Sequence, residues 1–266
     1  MAPDRPFIAV EDVWKIYGQG EHGLEALKGV SFAVEQGEIV SIMGPSGCGK
    51  TTLLNCVSGL DDVSRGAVRM NGADLASLPA RRRDAFRAQW MGFIFQAYNL
   101  IPVLTAAENV EIPLLCRGVR PAEARARAIE ALSTVGLKER AGYRPAELSG
   151  GQQQRVAIAR AIVNRPLVVW ADEPTGALDS ETNAMVMDLI EHLNRVEGIT
   201  FVIVTHNPVV AGYADRTLYM DSGRIVHERT AASRSRRPAD AGTPPLGRDR
   251  TERHGTPEGS RPGGRA

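Results

Sequence analysis

The chain has 266 residues, 43% hydrophobic and 24% charged, with a formal net charge of +1. This composition suits an ordinary soluble protein with a substantial core, and it argues against a dedicated nucleic-acid binder, which would carry a basic excess. Three cysteines, Cys48, Cys56 and Cys116, make neither a metal-ligand pair nor an even disulfide set, and they point to a reducing compartment, the cytoplasm.

In chain order, no secretory signal is expected, because MAPDRPFIAVEDV lacks a basic stretch followed by an apolar one. Residues 7–13 alternate apolar and polar as a half-buried strand does, 27–34 repeat the pattern, and 66–70 run into an Asn71-Gly72 turn. These predict an antiparallel β-layer. Residues 38–43 form a short apolar strand and 53–57 continue as a helix. From about 79 to 163 the texture is helical, with apolar residues at three- and four-residue spacing over 81–90, 106–116, 122–135 and 150–163. Then come a buried strand at 167–171, a helix at 182–196 and a second buried strand at 199–205. Buried strands separated by helices imply a parallel sheet covered on both faces. The longest apolar runs are strand-sized, well short of the roughly 20 residues that span a bilayer. Any work at a membrane needs another protein to provide the membrane part.

Composition breaks after residue 229. Residues 231–266 contain eight Arg against four acidic residues, net +4, and almost no large apolar side chains. This tail is expected to be disordered, either a solvated extension or a contact to anionic lipid headgroups.

The chemistry centres on Gly44-Pro45-Ser46-Gly47-Cys48-Gly49-Lys50-Thr51-Thr52, between a strand and a helix. This is the phosphate-loop pattern G-x-x-x-x-G-K-[ST] in its required context. The glycines let successive N–H groups turn inward as an anion nest, and the helix adds its positive end. Lys50 brings an ammonium to the β- and γ-phosphates, and Thr51 offers a hydroxyl to Mg²⁺. Alone, the motif predicts triphosphate binding and nothing about its purpose.

Asp172 and Glu173 follow the buried strand at 167–171. A carboxylate at that end of a parallel strand is placed to hold Mg²⁺, and its neighbour to polarise water for attack on a γ-phosphate. Adjacent acids at a strand end can also be a solvated turn. In 148–155 (LSGGQQQR), Ser149 is a good N-cap, and Gly150 and Gly151 allow close approach to the start of a helix. That makes a second anion site, or an ordinary helix N-terminus.

Together, LSGGQ, GPSGCGKTT and VVWADEP resemble the nucleotide-binding subunit of ABC transporters over about residues 7–229. The resemblance implies a P-loop NTPase: an α/β fold with a mostly parallel core sheet, an antiparallel N-terminal layer and an inserted helical subdomain at about 79–163, within an ATP-binding domain of 1–230. It implies a homodimer that sandwiches two ATP, the loop of one copy facing Ser149, Gly150, Gly151 and Gln152 of the other. It assigns Tyr17 to adenine stacking, Gln96 to Mg²⁺ or water, Asp179 to the dimer interface and His206 to the γ-phosphate. As isolated residues these would read as a strand-end aromatic, an unremarkable Gln, a helix cap and a structural His. Two departures stand out: bulky Trp170 in the strand before Asp172, which can perturb packing but removes no catalytic group, and Cys48 in the loop, read as a small filler whose thiol can nonetheless be exposed without nucleotide.

Residues 96–111 (QAYNLIPVLTAAENVE) are rich in apolar side chains, read either as packing of the helical subdomain or as a groove for a permease helix. With VAIARAIVNRP and ADEPTGALDS, this stretch resembles the subgroup serving lipoprotein release, macrolide export and antimicrobial-peptide resistance. That implies an ATPase on the inner face of the cell membrane, powering a permease with a large extracytoplasmic domain. The alternative is a mechanical coupler like the subgroup's cell-division member, which moves no substrate. Nucleic-acid-associated relatives carry long coiled coils or two cassettes, and this chain has neither.

Overall fold

Alternating burial along β1 (Ile8–Tyr17) reflects a sheet with one face on the core, and β1 pairs antiparallel with β2 (Leu24–Val34), Ile8 opposite Val34. The computed structural model describes residues 6–18 and 23–231. The tail at 232–266, for which disorder was expected, lies outside the described residues.

After β2 come β3 (Ile39–Met43), α1 (Lys50–Val57), β4 (Arg65–Met70), β5 (Ala73–Asp74), α2 (Ala80–Trp90) and β6 (Met91–Phe95). Next are α3 (Ala106–Cys116), α4 (Pro121–Thr134), α5 (Gly150–Ile162), β7 (Val168–Asp172) and α6 (Ser180–Glu197). The described chain closes with β8 (Thr200–Thr205), α7 (Pro208–Ala211), β9 (Arg216–Asp221) and β10 (Arg224–Thr230).

Two sheets result. One is the expected antiparallel layer, order β2-β1-β4-β5; the other has order β10-β9-β3-β8-β7-β6, parallel from β9 to β6 with β10 antiparallel at the edge. The larger sheet divides the core. Val40, Ile42, Val168, Trp170, Val202 and Val204 face one apolar cluster with α1 and the antiparallel layer. Ile39, Val169, Ala171, Phe201 and Ile203 face the other, with α3, α4, α5 and α6. Burial on both faces explains the near-continuous apolar runs of β3, β7 and β8.

The stretch 79–163 differs from its expected helical texture. Phe86 and Trp90 of α2 pack against the cluster of the antiparallel layer, and β6 is an edge strand of the parallel sheet, in register with β7. Helices α3, α4 and α5 build the opposite apolar cluster together with Ile94 of β6, and they share it with α6. Trp170 is accommodated in the core at 1% exposure, its indole Nε1 without a partner.

Candidate functional site

Parallel strands deliver their following residues to one edge. At the C-terminal ends of β3, β6, β7 and β8 stand the phosphate loop, Gln96, Asp172 with Glu173, and His206. The loop reaches α1 through Gly49, whose φ of 101° and contact with Ala26 O, 2.7 Å from where a Cβ would stand, admit only glycine. Helix α1 has no side-chain cap, so its first N–H groups face the loop for an anion.

Lys50 Nζ donates to the carbonyls of Gly44 and Pro45, each at 2.9 Å, so the ammonium is folded back over the loop it serves. The Cys48 N–H donates to Pro45 O at 3.4 Å, and its side chain is buried, with Sγ 4.0 Å from Lys50 Nζ. Cys48 is thus the small filler read from the sequence, packed beneath the loop, and its thiol is not exposed. Thr51 Oγ1 donates to Asp172 Oδ1 at 3.2 Å, joining helix α1 to strand β7. Burial pushes the Asp172 carboxyl above its ordinary range; the Thr51 hydrogen bond opposes that and the Glu173 charge adds to it. A hydroxyl beside a carboxylate that is costly to ionise alone is an all-oxygen donor set suited to a hard cation such as Mg²⁺.

Glu173 turns the chain out of β7 in the left-handed region, at φ 48°. Its N–H donates to Val204 O at 2.9 Å, Thr205 Oγ1 donates to its Oε2 at 3.2 Å, and its Oε1 lies 2.7 Å from His206 Nδ1. Gln96 is exposed and lies against Gly176, where a Cβ would stand 3.1 Å from its Nε2. Tyr17 ends β1 at 43% exposure, so it is not a core aromatic, and its hydroxyl donates to Asp61 Oδ2 at 3.0 Å.

The signature residues gather elsewhere, at the start of α5. Ser149 Oγ accepts the Gln152 N–H at 3.3 Å, and Gln152 Oε1 accepts the Ser149 N–H at 2.9 Å, a capping box closed within one chain. Gly151 sits against Thr182, with a Cβ position 2.3 Å from Thr182 Cγ2. Thr182 in turn donates N–H and hydroxyl to Asp179, both at 2.9 Å, and these bonds hold that carboxyl below its usual range. Asp179 is therefore a helix cap, and it stands beside the signature turn. Two groups of predicted residues thus form: a phosphate-loop group and a signature group.

Comparison with known proteins identifies the arrangement. The family model described as "ABC transporter" matches residues 27–176. The chain belongs to the ABC transporter family. It is 45% identical, over 82% of its length and all of the relative's, to a lipoprotein-releasing system ATP-binding protein of Bacteroides fragilis. It is 46% identical over 87% of its length to a macrolide export ATP-binding/permease protein of Marinobacter nauticus, of which it spans 36%. Among solved structures, the dimeric post-hydrolysis state of a Methanocaldococcus jannaschii ATP-binding cassette, with ADP and Pi bound, superposes with TM-score 0.79 at 42% identity, covering 85% of this chain and 99% of that one. The chain is an ABC ATPase domain. Among the described residues, no helix is long and apolar enough to cross a membrane.

Three residues of the site region were not singled out from the sequence. Arg160 donates to the carbonyls of Tyr98 and Asn99, holding the turn after Gln96, and Lys15 and Asp61 hold Tyr17. Each acts across 44 or more positions, which leaves no local pattern to read.

Proposed function

We propose that two copies of this chain close head-to-tail around two Mg-ATP, hydrolyse them, and transmit the closure to a membrane permease with a large extracytoplasmic domain, for export or extrusion. The observation carrying this reading is the split site. Lys50, Thr51, Asp172, Glu173 and His206 converge at one sheet edge, while Ser149–Gln152 gather with Asp179 at the start of α5. Each group is half of a triphosphate site, and a second copy supplies the other half.

In the closed state Lys50 and the loop N–H groups hold the phosphates, and His206 stabilises the γ-phosphoryl charge. Glu173 orients the attacking water, and Ser149–Gly151 of the second copy complete the cage. Catalysis here is positioning and electrostatics. Thr51, Asp172 and Gln96 would hold Mg²⁺, which supplies charge neutralisation when bound. Tyr17 would stack on adenine. Bound triphosphate joins the subunits and its loss opens them, a shift between two states with different contacts.

For the permease, a groove lined by Phe93, Phe95, Asn99, Arg160 and Asn164 lies between α2, β6, α3 and α5, and Ile101 and Val103, which follow Asn99 in the chain, are exposed. Leu100 of the same stretch packs against the core, which is the packing role; the groove role is the one proposed here. The subgroup reading is supported by the lipoprotein-release and macrolide-export relatives.

Mixing two inactive variants tests the split site. Lys50→Met spoils the loop half and Ser149→Arg the signature half. A heterodimer of the two retains one intact site, so random pairing restores about a quarter of wild-type hydrolysis. No restoration, with each variant folded and dimerising, overturns the head-to-tail assembly.

A further inference from the structure

Tyr17 is held more tightly than an exposed strand-end aromatic requires. Its hydroxyl donates to Asp61 Oδ2 at 3.0 Å. Lys15 Nζ lies over the ring, 4.9 Å from its centroid. The same ammonium donates to Asp61 Oδ1 and to the Asp62 carbonyl, both at 2.7 Å. Asp61 itself belongs to the turn that ends α1, its N–H donating to Asn55 O at 3.0 Å.

Lys15 is 8% exposed, a rare condition for lysine and a costly one unless the charge is paired. A simple staple between β1 and the turn would need only the Lys15 bonds to Asp61 and Asp62. It would not need the phenol tied to the same carboxylate, or the cation placed over the ring. Two partners, Lys15 and Asp61, fix the ring, and Asp61 belongs to the turn that ends the phosphate-loop helix.

We infer that Lys15 and Asp61 are positioning residues for the nucleotide base: they clamp Tyr17 to the phosphate-loop helix, so that purine and triphosphate are received at one fixed separation. The inference rests on the reading of Tyr17 as the adenine platform. With Lys15 over one face, the other face receives the base, and a cation behind the ring draws electron density from it, favouring an electron-rich purine in front. The charge states agree with a closed clamp. Burial alone would raise the Asp61 carboxyl and lower the Lys15 ammonium, yet the bonds among Lys15, Asp61 and Tyr17 hold the first below and the second above their ordinary values.

The test compares ATP with inorganic tripolyphosphate, which has no base. Steady-state hydrolysis gives kcat and KM for ATP, and inhibition gives Ki for tripolyphosphate, in Tyr17→Ala, Lys15→Met, Lys15→Arg, Asp61→Ala and Asp61→Asn. Lys15→Met and Asp61→Ala are expected to raise KM for ATP roughly three- to tenfold. In both, kcat stays within about twofold and the tripolyphosphate Ki is unmoved. Lys15→Arg, which keeps a cation over the ring, recovers part of the loss. Asp61→Asn keeps an acceptor for the phenol and guards against a folding failure of Lys15→Met. If Tyr17→Ala raises KM while Lys15 and Asp61 variants leave it unchanged, the clamp is refuted and the platform survives. If Tyr17→Ala leaves KM unchanged, the platform itself fails and the clamp with it. A parallel rise in tripolyphosphate Ki marks the pair as a structural staple and overturns the inference.

Discussion

His206 Nδ1 and Glu173 Oε1 lie 2.7 Å apart, and the second carboxylate oxygen accepts from Thr205 at 3.2 Å. The residue assigned to polarise water and the residue assigned to the γ-phosphate therefore hold each other in this chain. Glu173 is largely enclosed, its side chain 14% exposed, whereas the His206 side chain is 63% exposed. His206 is the member free to swing. On the proposed function, triphosphate that drew the imidazole to itself would release Oε1 for a water.

Glu173→Gln is expected to separate binding from chemistry. The amide keeps an oxygen for Thr205 or His206 and the enclosed shape, but it is no base. Hydrolysis should fall by about 10²–10⁴-fold, while ATP-driven dimerisation persists or strengthens. Phosphate release and size-exclusion chromatography with ATP read the two properties. Turnover near wild type would remove Glu173 from its role.

Asp172 illustrates a site held against stability. Burial raises its carboxyl above the ordinary carboxylate range. The ionised form therefore costs the nucleotide-free fold stability. That cost is full above the raised value and vanishes as pH falls below the ordinary one. Asp172→Asn, which keeps an acceptor for Thr51, should raise the Tm by ~1–3 °C at neutral pH, with the gain shrinking toward acid. The same variant should lose Mg²⁺-dependent hydrolysis by at least about 100-fold. Thermal melts at neutral and acidic pH, beside phosphate release, check both. A gain that grows toward acid contradicts the sign.

How much was legible follows from the range of each signal. The loop 44–52, the buried strands β3, β7 and β8 and the caps Ser149 and Asp179 are local patterns, and they stand where periodicity and motif place them. Strand β6 was hidden because a five-residue apolar run between helices has no period that distinguishes strand from helix. The hairpin of β9 and β10 carries no clear local signal either, since exposure along β10 leaves little apolar alternation. Lys15 and Asp61 meet across 46 positions, and the burial of Cys48 depends on packing below the loop. Such facts belong to tertiary structure.

Arg160 should matter to the turn after Gln96 more than to nucleotide binding. It donates to the carbonyls of Tyr98 and Asn99, both of which sit at positive φ, 59° and 50°. Arg160→Met leaves the part-buried Tyr98 carbonyl without its partner and returns the exposed Asn99 carbonyl to water, at a cost of about 1–3 kcal/mol. The expected outcome is a lower melting temperature, with ATP affinity within about twofold of wild type. Calorimetric melts and nucleotide titration decide it; an unchanged melt would show that the turn holds its shape alone.

The contact between the signature turn and Asp179 can be tested by steric complementation. A Cβ on Gly151 would stand 2.3 Å from Thr182 Cγ2. Thr182 cannot rotate away freely, because its hydroxyl and N–H both bond Asp179 at 2.9 Å. Gly151→Ala must therefore move α5 from α6 or break the cap, at ~1 kcal/mol or more. ATP-driven dimerisation and hydrolysis should fall at least about tenfold, since a displacement near 1 Å at such a site costs that much or more. Thr182→Ser removes Cγ2 and keeps the hydroxyl for Asp179. Added to Gly151→Ala, it should recover most of the melting temperature and part of the hydrolysis. The four proteins, wild type, both single variants and the double, are compared by melting and phosphate release. A double variant no better than Gly151→Ala alone would show that Thr182 is not what Gly151 makes room for.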